Sequence, residues 1–391
     1  MYVLICNLPF VDDLKAGRTQ GEILVYILSC FQSCPHIVKE KRVRAMETGR
    51  EEKIWTMAAE SSQIPEDRAG QVIRILPRCL RERLRYGIPD FGRLEELRFR
   101  TGEPLAAVYE GKNRWVTPQG VLSGGLDDPI PVTKEMIREM LEYISSYSFY
   151  AFEEEIRQGF ITIPGGHRIG LAGRAVTEGG AVKTIRHISF LNIRLSHQVP
   201  GCAEKLLPFL YQDGKIRNTL LISPPRAGKT TLLRDLIRLV SDGNAYGEGV
   251  NTGVVDERGE LAACYQGVPQ NDLGRRTDVL DGCPKAQGIT MLLRSMAPAV
   301  IAVDELGTAE DIRAMEFAMN SGCTFLATAH GGSLEEIRRK PLFCAMMEAG
   351  LFQRIGVLYG GGCESNDERQ ARGILLYDGG FREMTEGYLW Y

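Results

Sequence analysis

Thr219-Leu-Leu-Ile-Ser223-Pro-Pro-Arg-Ala-Gly228-Lys229-Thr230-Thr231 decides the fold. An apolar run enters a turn rich in Pro and Gly, and the turn opens into a segment with helical spacing of leucines. Strand, loop and helix with Gly-Lys-Thr at the junction is the pattern of a phosphate-binding P-loop. The candidate nucleotide-binding set is Ser223, Pro224, Pro225, Arg226, Ala227, Gly228, Lys229, Thr230 and Thr231. Loop N–H groups and the helix N-terminus cradle phosphate, Lys229 reaches its outer oxygens, and Thr230 offers a hydroxyl to Mg²⁺. Ser223 stands where the pattern has its first glycine. The reading therefore requires Ser223 to adopt the backbone angles of that position.

A second signal follows downstream. Val300-Ile-Ala-Val303-Asp304-Glu305 is a buried-type strand ending in two carboxylates, the Walker B arrangement. Asp304 is the second candidate Mg²⁺ ligand, and Glu305 the candidate base that orients and deprotonates water. Between the two elements, Val254-Val-Asp256-Glu257-Arg258-Gly-Glu260 ends another strand, and Thr328-Ala-His330-Gly331 ends a fourth. Parallel strands bring their C-terminal ends to one edge, where ligands bind. His330 is thus a candidate γ-phosphate sensor, and Asp256, Glu257 and Glu260 are candidates for the metal and water network.

Around these motifs, strands at 219–222, 253–255, 299–303 and 323–329 alternate with helices at 230–240, 285–296, 309–320 and 334–340. Strand-like runs at 355–359 and 374–377 close the chain. Continuous apolar strands separated by helices predict a parallel sheet covered on both faces. Upstream, Pro77 breaks two short amphipathic helices, and Thr133 caps a helix whose apolar face holds Met136, Ile137, Met140, Leu141 and Ile144. Strand-like runs lie at 96–100, 105–109 and 115–116, and residues 159–194 read as a β-rich sheet. The fold class is α/β: a C-terminal P-loop domain over 201–391, preceded by a smaller α+β domain over 61–200. Residues 1–60 read as an extension, disordered or preceding a native start at Met46 or Met57. The alternative is an arm in which Ile23–Phe31 packs on a partner.

Composition sets limits. Of 391 residues, 44% are hydrophobic and 25% charged, which is globular, and 47 basic against 50 acidic residues leave a net charge of −3. That balance gives no global basic field for nucleic acid. No apolar run reaches 18 residues, so no helical membrane span is expected. The 10 cysteines are scattered. Only Cys30 and Cys34 lie close together, with no second pair at zinc-site spacing, so reduced thiols are favoured over metal or disulfide.

Walker A, an acidic box, Walker B and a histidine box in this order resemble the RecA-like ring ATPases of type II and type IV secretion systems. Five longer stretches resemble, within that superfamily, the stage III sporulation protein AA family of endospore-formers. They are QGVPQNDLGRRTDVLDGCPKA (266–286), LLRSMAPAVIAVDELG (292–307), ATAHGGSLEEI (327–337), GFITIPGGHRIGLAGRAVTEGG (159–180) and ISFLNIRLSHQVPGCA (188–203). The resemblance covers roughly 65–390. It implies a Mg-dependent ATPase in the mother-cell cytoplasm, forming a homo-oligomeric ring, a hexamer, at the inner face of a membrane complex. It also implies membrane-protein partners and a secretion-like channel toward the forespore. In the resembling ATPases, N-terminal-domain arginines reach a nucleotide site, which makes Arg168, Arg174, Arg186 and Arg194 candidate arginine fingers. From the residues alone, a nucleic-acid-handling RecA-like or AAA ATPase and a slowly hydrolysing P-loop switch remain alternatives.

Overall fold

The computed structural model describes residues 41–42, 53–54, 68–145, 152–225, 227–359, 373–385 and 388–389. The chain divides into two compact units, Met1–Gln63 and Ile64–Tyr391. In the first, Lys41–Arg42 pairs antiparallel with Lys53–Ile54. The expectations for Met46, Met57, Ile23–Phe31, Cys30 and Cys34 lie outside the described residues.

The second unit holds two large sheets. The first is antiparallel and built from β1 (Leu94–Arg100), β2 (Ala106–Tyr109), β3 (Lys112–Val116), β4 (Leu122–Ser123), β5 (Phe160–Ile163), β6 (His167–Glu178) and β7 (Ala181–Arg194). Their order is β4-β3-β2-β1-β7-β6-β5. Strand alternation sends Leu97, Phe99, Ile161, Ile169 and Ile193 to one core. Helices α1 (Arg68–Ile75), α2 (Arg78–Gly87), α3 (Lys134–Ile144) and α4 (Glu153–Gln158) fill that core with Val72, Leu76, Leu80, Leu84, Ile137, Met140 and Ile156. Pro77 caps α2 and separates it from α1. The Thr133 side chain accepts the Met136 N–H and starts α3.

The second sheet contains β8 (Thr219–Ser223), β9 (Thr252–Asp256), β10 (Thr277–Asp281), β11 (Val300–Val303), β12 (Thr324–His330), β13 (Arg354–Tyr359), β14 (Gly373–Asp378) and β15 (Tyr388–Leu389). The order is β10-β9-β11-β12-β8-β13-β14-β15. Successive residues of the central strands point to opposite cores. Leu221, Val254, Ala302 and Leu326 join α5 (Lys229–Asp242) on one face. Leu220, Ile222, Val255, Ile301, Val303, Phe325 and Ala327 join α6 (Lys285–Ser295) and α7 (Ala309–Asn320) on the other. Burial on both faces is why these strands read as continuous apolar runs.

The structure corrects the element reading in three places. β10 pairs parallel with β9 at the sheet edge, and its half-exposed polar pattern hid it from an apolar-run search. β14 and β15 run antiparallel to their neighbours, so the sheet is mostly, not wholly, parallel. Pro341–Glu348 forms a further helix with proline in its first turn, where the missing N–H costs nothing.

Polar contacts join the two sheets. Gly165 N–H donates to Gln270 Oε1 at 2.9 Å, and Gln198 Nε2 donates to Asn271 Oδ1 at 2.7 Å. Gly166 has φ +76°, and a Cβ there would meet the Ala263 Cβ at 2.7 Å, so only glycine permits this approach. The deepest brace is Arg234 of α5. Buried, it donates to the carbonyls of Leu261 (2.9 Å), His197 (2.9 Å) and Glu260 (2.6 Å). Arg234→Met keeps the apolar stem but strands those acceptors. It should lower unfolding free energy by about 3 kcal/mol, read by urea denaturation; a loss within experimental error would refute the brace.

Candidate active site

β8 is buried along its whole length, which fixes where the chain leaves the sheet. Ser223 is its last residue, in register with His330 of β12 and hydrogen-bonded through Oγ to the Pro224 carbonyl at 2.9 Å. Because Ser223 is extended strand, a Cβ fits where the P-loop pattern has glycine. The left-handed step falls instead at Gly228, φ +94°, immediately before α5 begins at Lys229. Ala227 is buried, Pro224 and Thr231 are half-buried and Pro225 is exposed. Arg226 lies outside the described residues.

β11 delivers Asp304 and Glu305 to the same sheet edge. Thr230 Oγ1 donates to Asp304 Oδ2 at 2.7 Å, and Lys229 Nζ lies 3.4 Å from Asp304 Oδ1. Thr328 of β12 donates its hydroxyl to Asp304 Oδ1 and accepts the Glu305 N–H at 2.8 Å. Glu305 takes φ +59°, a strained angle for a residue with a side chain. Its Oε1 meets Lys229 Nζ and His330 Nε2, each at 2.7 Å, and its Oε2 meets Arg258 Nη1 at 2.6 Å. Burial disfavours the charge of this carboxylate, but the hydrogen bond and charge of Lys229, with His330, outweigh it and hold the group at about 2.

The loop after β9 is shaped by its own acid. The buried Asp256 carboxylate accepts the N–H groups of Glu260 (2.8 Å), Leu261 (3.0 Å) and Ala262 (2.7 Å). Burial pushes its titration upward, opposed by those three N–H groups and Arg168. Asp256 therefore builds the loop and spends both oxygens doing so. Glu257 pairs with Lys285 at the start of α6. Glu260, in a bend, brings a carboxylate oxygen within 4.8 Å of those of Asp304 and Glu305. Thr230, Asp304, Glu305 and Glu260 form an all-oxygen donor set, the chemistry that suits Mg²⁺. Asp281, at the end of β10, is pushed up to about 6 by desolvation first and Asp256 second, with Arg168 opposing.

The four candidate finger arginines separate. Arg168 reaches the acidic loop, with Nη1 3.5 Å from Glu260 Oε1 and Nη2 donating to the Arg258 carbonyl. Arg194 pairs with Glu96 at 3.2 Å on its own sheet. Arg174 and Arg186 face each other in register on the exposed outer part of the β6–β7 ribbon. Arg258 and Thr328 escaped the sequence reading as site residues although both lie inside the quoted boxes. Their residue types are common in turns and strands, and only the Glu305 geometry singles them out. Cys79, Cys202, Cys264, Cys283, Cys323 and Cys344 are free thiols.

The profile of the family described as "Sporulation stage III, protein AA" matches residues 66–376. The chain belongs to this family. It is 42% identical over 286 residues to stage III sporulation protein AA of Bacillus subtilis (strain 168), covering 73% of this chain and 89% of that one. Among solved structures it is similar to the ATPase DotB of Legionella pneumophila, at TM-score 0.49 and 14% identity over 73% and 77% of the chains. It is also similar to the pilus retraction motor PilT with bound ADP, at TM-score 0.47 and 15% identity over 72% and 78%. The sporulation stage III protein AA match takes in the whole antiparallel sheet, the second sheet as far as β14, and each candidate site residue from Arg168 to His330. The fold class is α/β, a mostly parallel sheet covered by helices on both faces beside a smaller antiparallel sheet with its helices.

Glu305 supplies a pH test. Its folded titration lies below the usual value of 4.5, so the stability its pairs provide is complete above about 4.5 and drains as pH falls toward about 2. Unfolding free energies of the parent chain and Glu305→Gln, measured from pH 7 downward, should differ most at neutral pH and converge in acid. A constant difference would show that the carboxylate is not held charged by these partners.

Proposed function

We propose that this chain is a Mg-dependent ATP hydrolase that works as a homo-oligomeric ring, a hexamer by resemblance. The observation that carries the reading is the meeting of two elements: Lys229 and Thr230 from the P-loop lie within hydrogen-bond distance of Asp304 and Glu305 from β11. Lys229 would turn its ammonium from the carboxylates to the phosphate oxygens. The Gly228 turn and the first N–H groups of α5 would cradle the phosphates. Thr230 and Asp304 would hold Mg²⁺, which neutralises charge on the phosphate oxygens. Glu305 would orient the attacking water and take its proton, and His330, bonded to Glu305, would respond to the γ-phosphate. Arg168 is the one of the four arginines through which we expect the antiparallel sheet to take part.

Membership of a sporulation family and the relative in Bacillus subtilis support a role in endospore formation. In this reading the ring works in the mother-cell cytoplasm, at the inner face of a membrane complex, and powers a secretion-like channel toward the forespore. Its partners are membrane proteins of that channel. Among the described residues no helix is long and apolar enough to cross a membrane. The net charge of −3 favours protein partners over nucleic acid.

Lys229→Ala should abolish ATP binding. Glu305→Gln should bind ATP with near-parent affinity and hydrolyse it about 100-fold more slowly or worse. Parent-level turnover by Glu305→Gln would end the base assignment. For assembly, native mass should rise from one chain to a closed multiple when Mg-ATP is added, and single-stranded DNA should leave turnover unchanged. A monomer at saturating Mg-ATP would rule out the ring, and strong stimulation by DNA would favour a nucleic-acid motor.

A further inference from the structure

Glu305 has both carboxylate oxygens engaged, and the Oε2 partner, Arg258, comes from neither the P-loop nor the β12 histidine box. Arg258 sits at the tip of the loop that Asp256 folds, with its guanidinium on Glu305 and its own carbonyl accepting from Arg168 Nη2. Arg168 is firmly placed. Its side chain is 20% exposed, its guanidinium lies 4.9 Å from the Phe160 ring centre, and Nη1 is 3.5 Å from Glu260. Beside it, Gly259 has φ +61°, and a Cβ there would come within 3.2 Å of Arg168 Nη2. The loop thus keeps one residue bare next to the guanidinium that grips it.

We propose that Arg168 and Arg258 form a relay in which Arg168 holds the acidic loop and Arg258 fixes the orientation of the Glu305 carboxylate, so that the antiparallel sheet acts on hydrolysis through Arg258 and not by contact with phosphate. The proposal rests on the reading of Glu305 as the hydrolytic base and says how the other sheet reaches it. Three features support it. Glu305 carries an unfavourable backbone angle, of the kind that persists only where surrounding contacts impose the geometry. Once Lys229 turns toward phosphate, Arg258 and His330 are the partners left to impose it. And the Arg258 side chain is 65% exposed. An ion pair so open to water adds little to stability, so its use is geometric. Arg258 is a positioning residue in this scheme, and Arg168 positions Arg258.

The experiment is a set of mutant cycles on the full-length protein, reading ATP affinity by equilibrium binding, kcat by phosphate release, and urea unfolding. Arg258→Ala should lower kcat about 10-fold or more, leave ATP affinity within about twofold and leave the unfolding midpoint unchanged. Arg258→Lys should restore part of the rate, because a cation at that point still reaches Oε2. Arg168→Ala and the milder Arg168→Lys should also lose turnover, and the double variant Arg168→Ala/Arg258→Ala should be no slower than the worse single. In a Glu305→Gln background, Arg258→Ala should add nothing. Multiplying losses in the Arg168 and Arg258 double variant would mean that Arg168 acts separately, as a finger does, and would overturn the relay. Parent-level kcat for Arg258→Ala would overturn it too. A parent protein that binds but never hydrolyses ATP would instead overturn the hydrolase reading, and the relay with it.

Discussion

A buried ammonium must be paired, and Lys229, 6% exposed, imposes that condition on everything around it. It stands at the first position of α5, where the helix dipole does not favour a cation. The partners that make it tolerable are Asp304 and Glu305, two carboxylates at the end of β11. They in turn need donors, and Thr230, Thr328, His330 and Arg258 provide them. The site is therefore a closed set of mutual obligations among four segments of chain. Each segment arrives at the same place because buried strands run in parallel and end on one edge.

The acidic loop after β9 extends this set beyond the P-loop layer. Asp256 looks from the sequence like one more candidate for the metal and water network, yet its oxygens fold the loop by accepting three backbone N–H groups. Glu257 turns away to Lys285, and Glu260 turns toward the site. Arg234 grips the same loop through two carbonyls from within α5, and Arg168 grips it from the antiparallel sheet. A helix that starts at the P-loop and a strand of the other sheet thus bear on one short turn. That convergence gives the smaller sheet a physical route to the Glu305 carboxylate.

How much could be read in advance depended on whether a feature was local. The helix from Thr133 was legible because a cap and an amphipathic stripe are written within a dozen residues. The strand at 277–281 was not, because an edge strand needs no apolar run. The antiparallel pairing of the last two strands was equally hidden, since strand direction is set by pairing and not by composition. Ser223 was doubtful as a replacement for glycine only until its extended backbone was seen.

By itself the sequence determined the P-loop, the carboxylate pair after an apolar strand, the alternation that yields a mostly parallel sheet, and the family resemblance. Each rests on residues adjacent in the chain, where spacing and polarity carry the information. Only the tertiary structure decided which acids and arginines share the site. Asp256, Glu257 and Glu260 lie within five residues of one another and face three different partners. Arg168 reaches the acidic loop, while Arg174, Arg186 and Arg194, on the same two strands, do not. Those choices depend on how a turn folds on its own N–H groups and on where one sheet meets the other. Contacts between residues far apart in sequence leave no periodic trace in it.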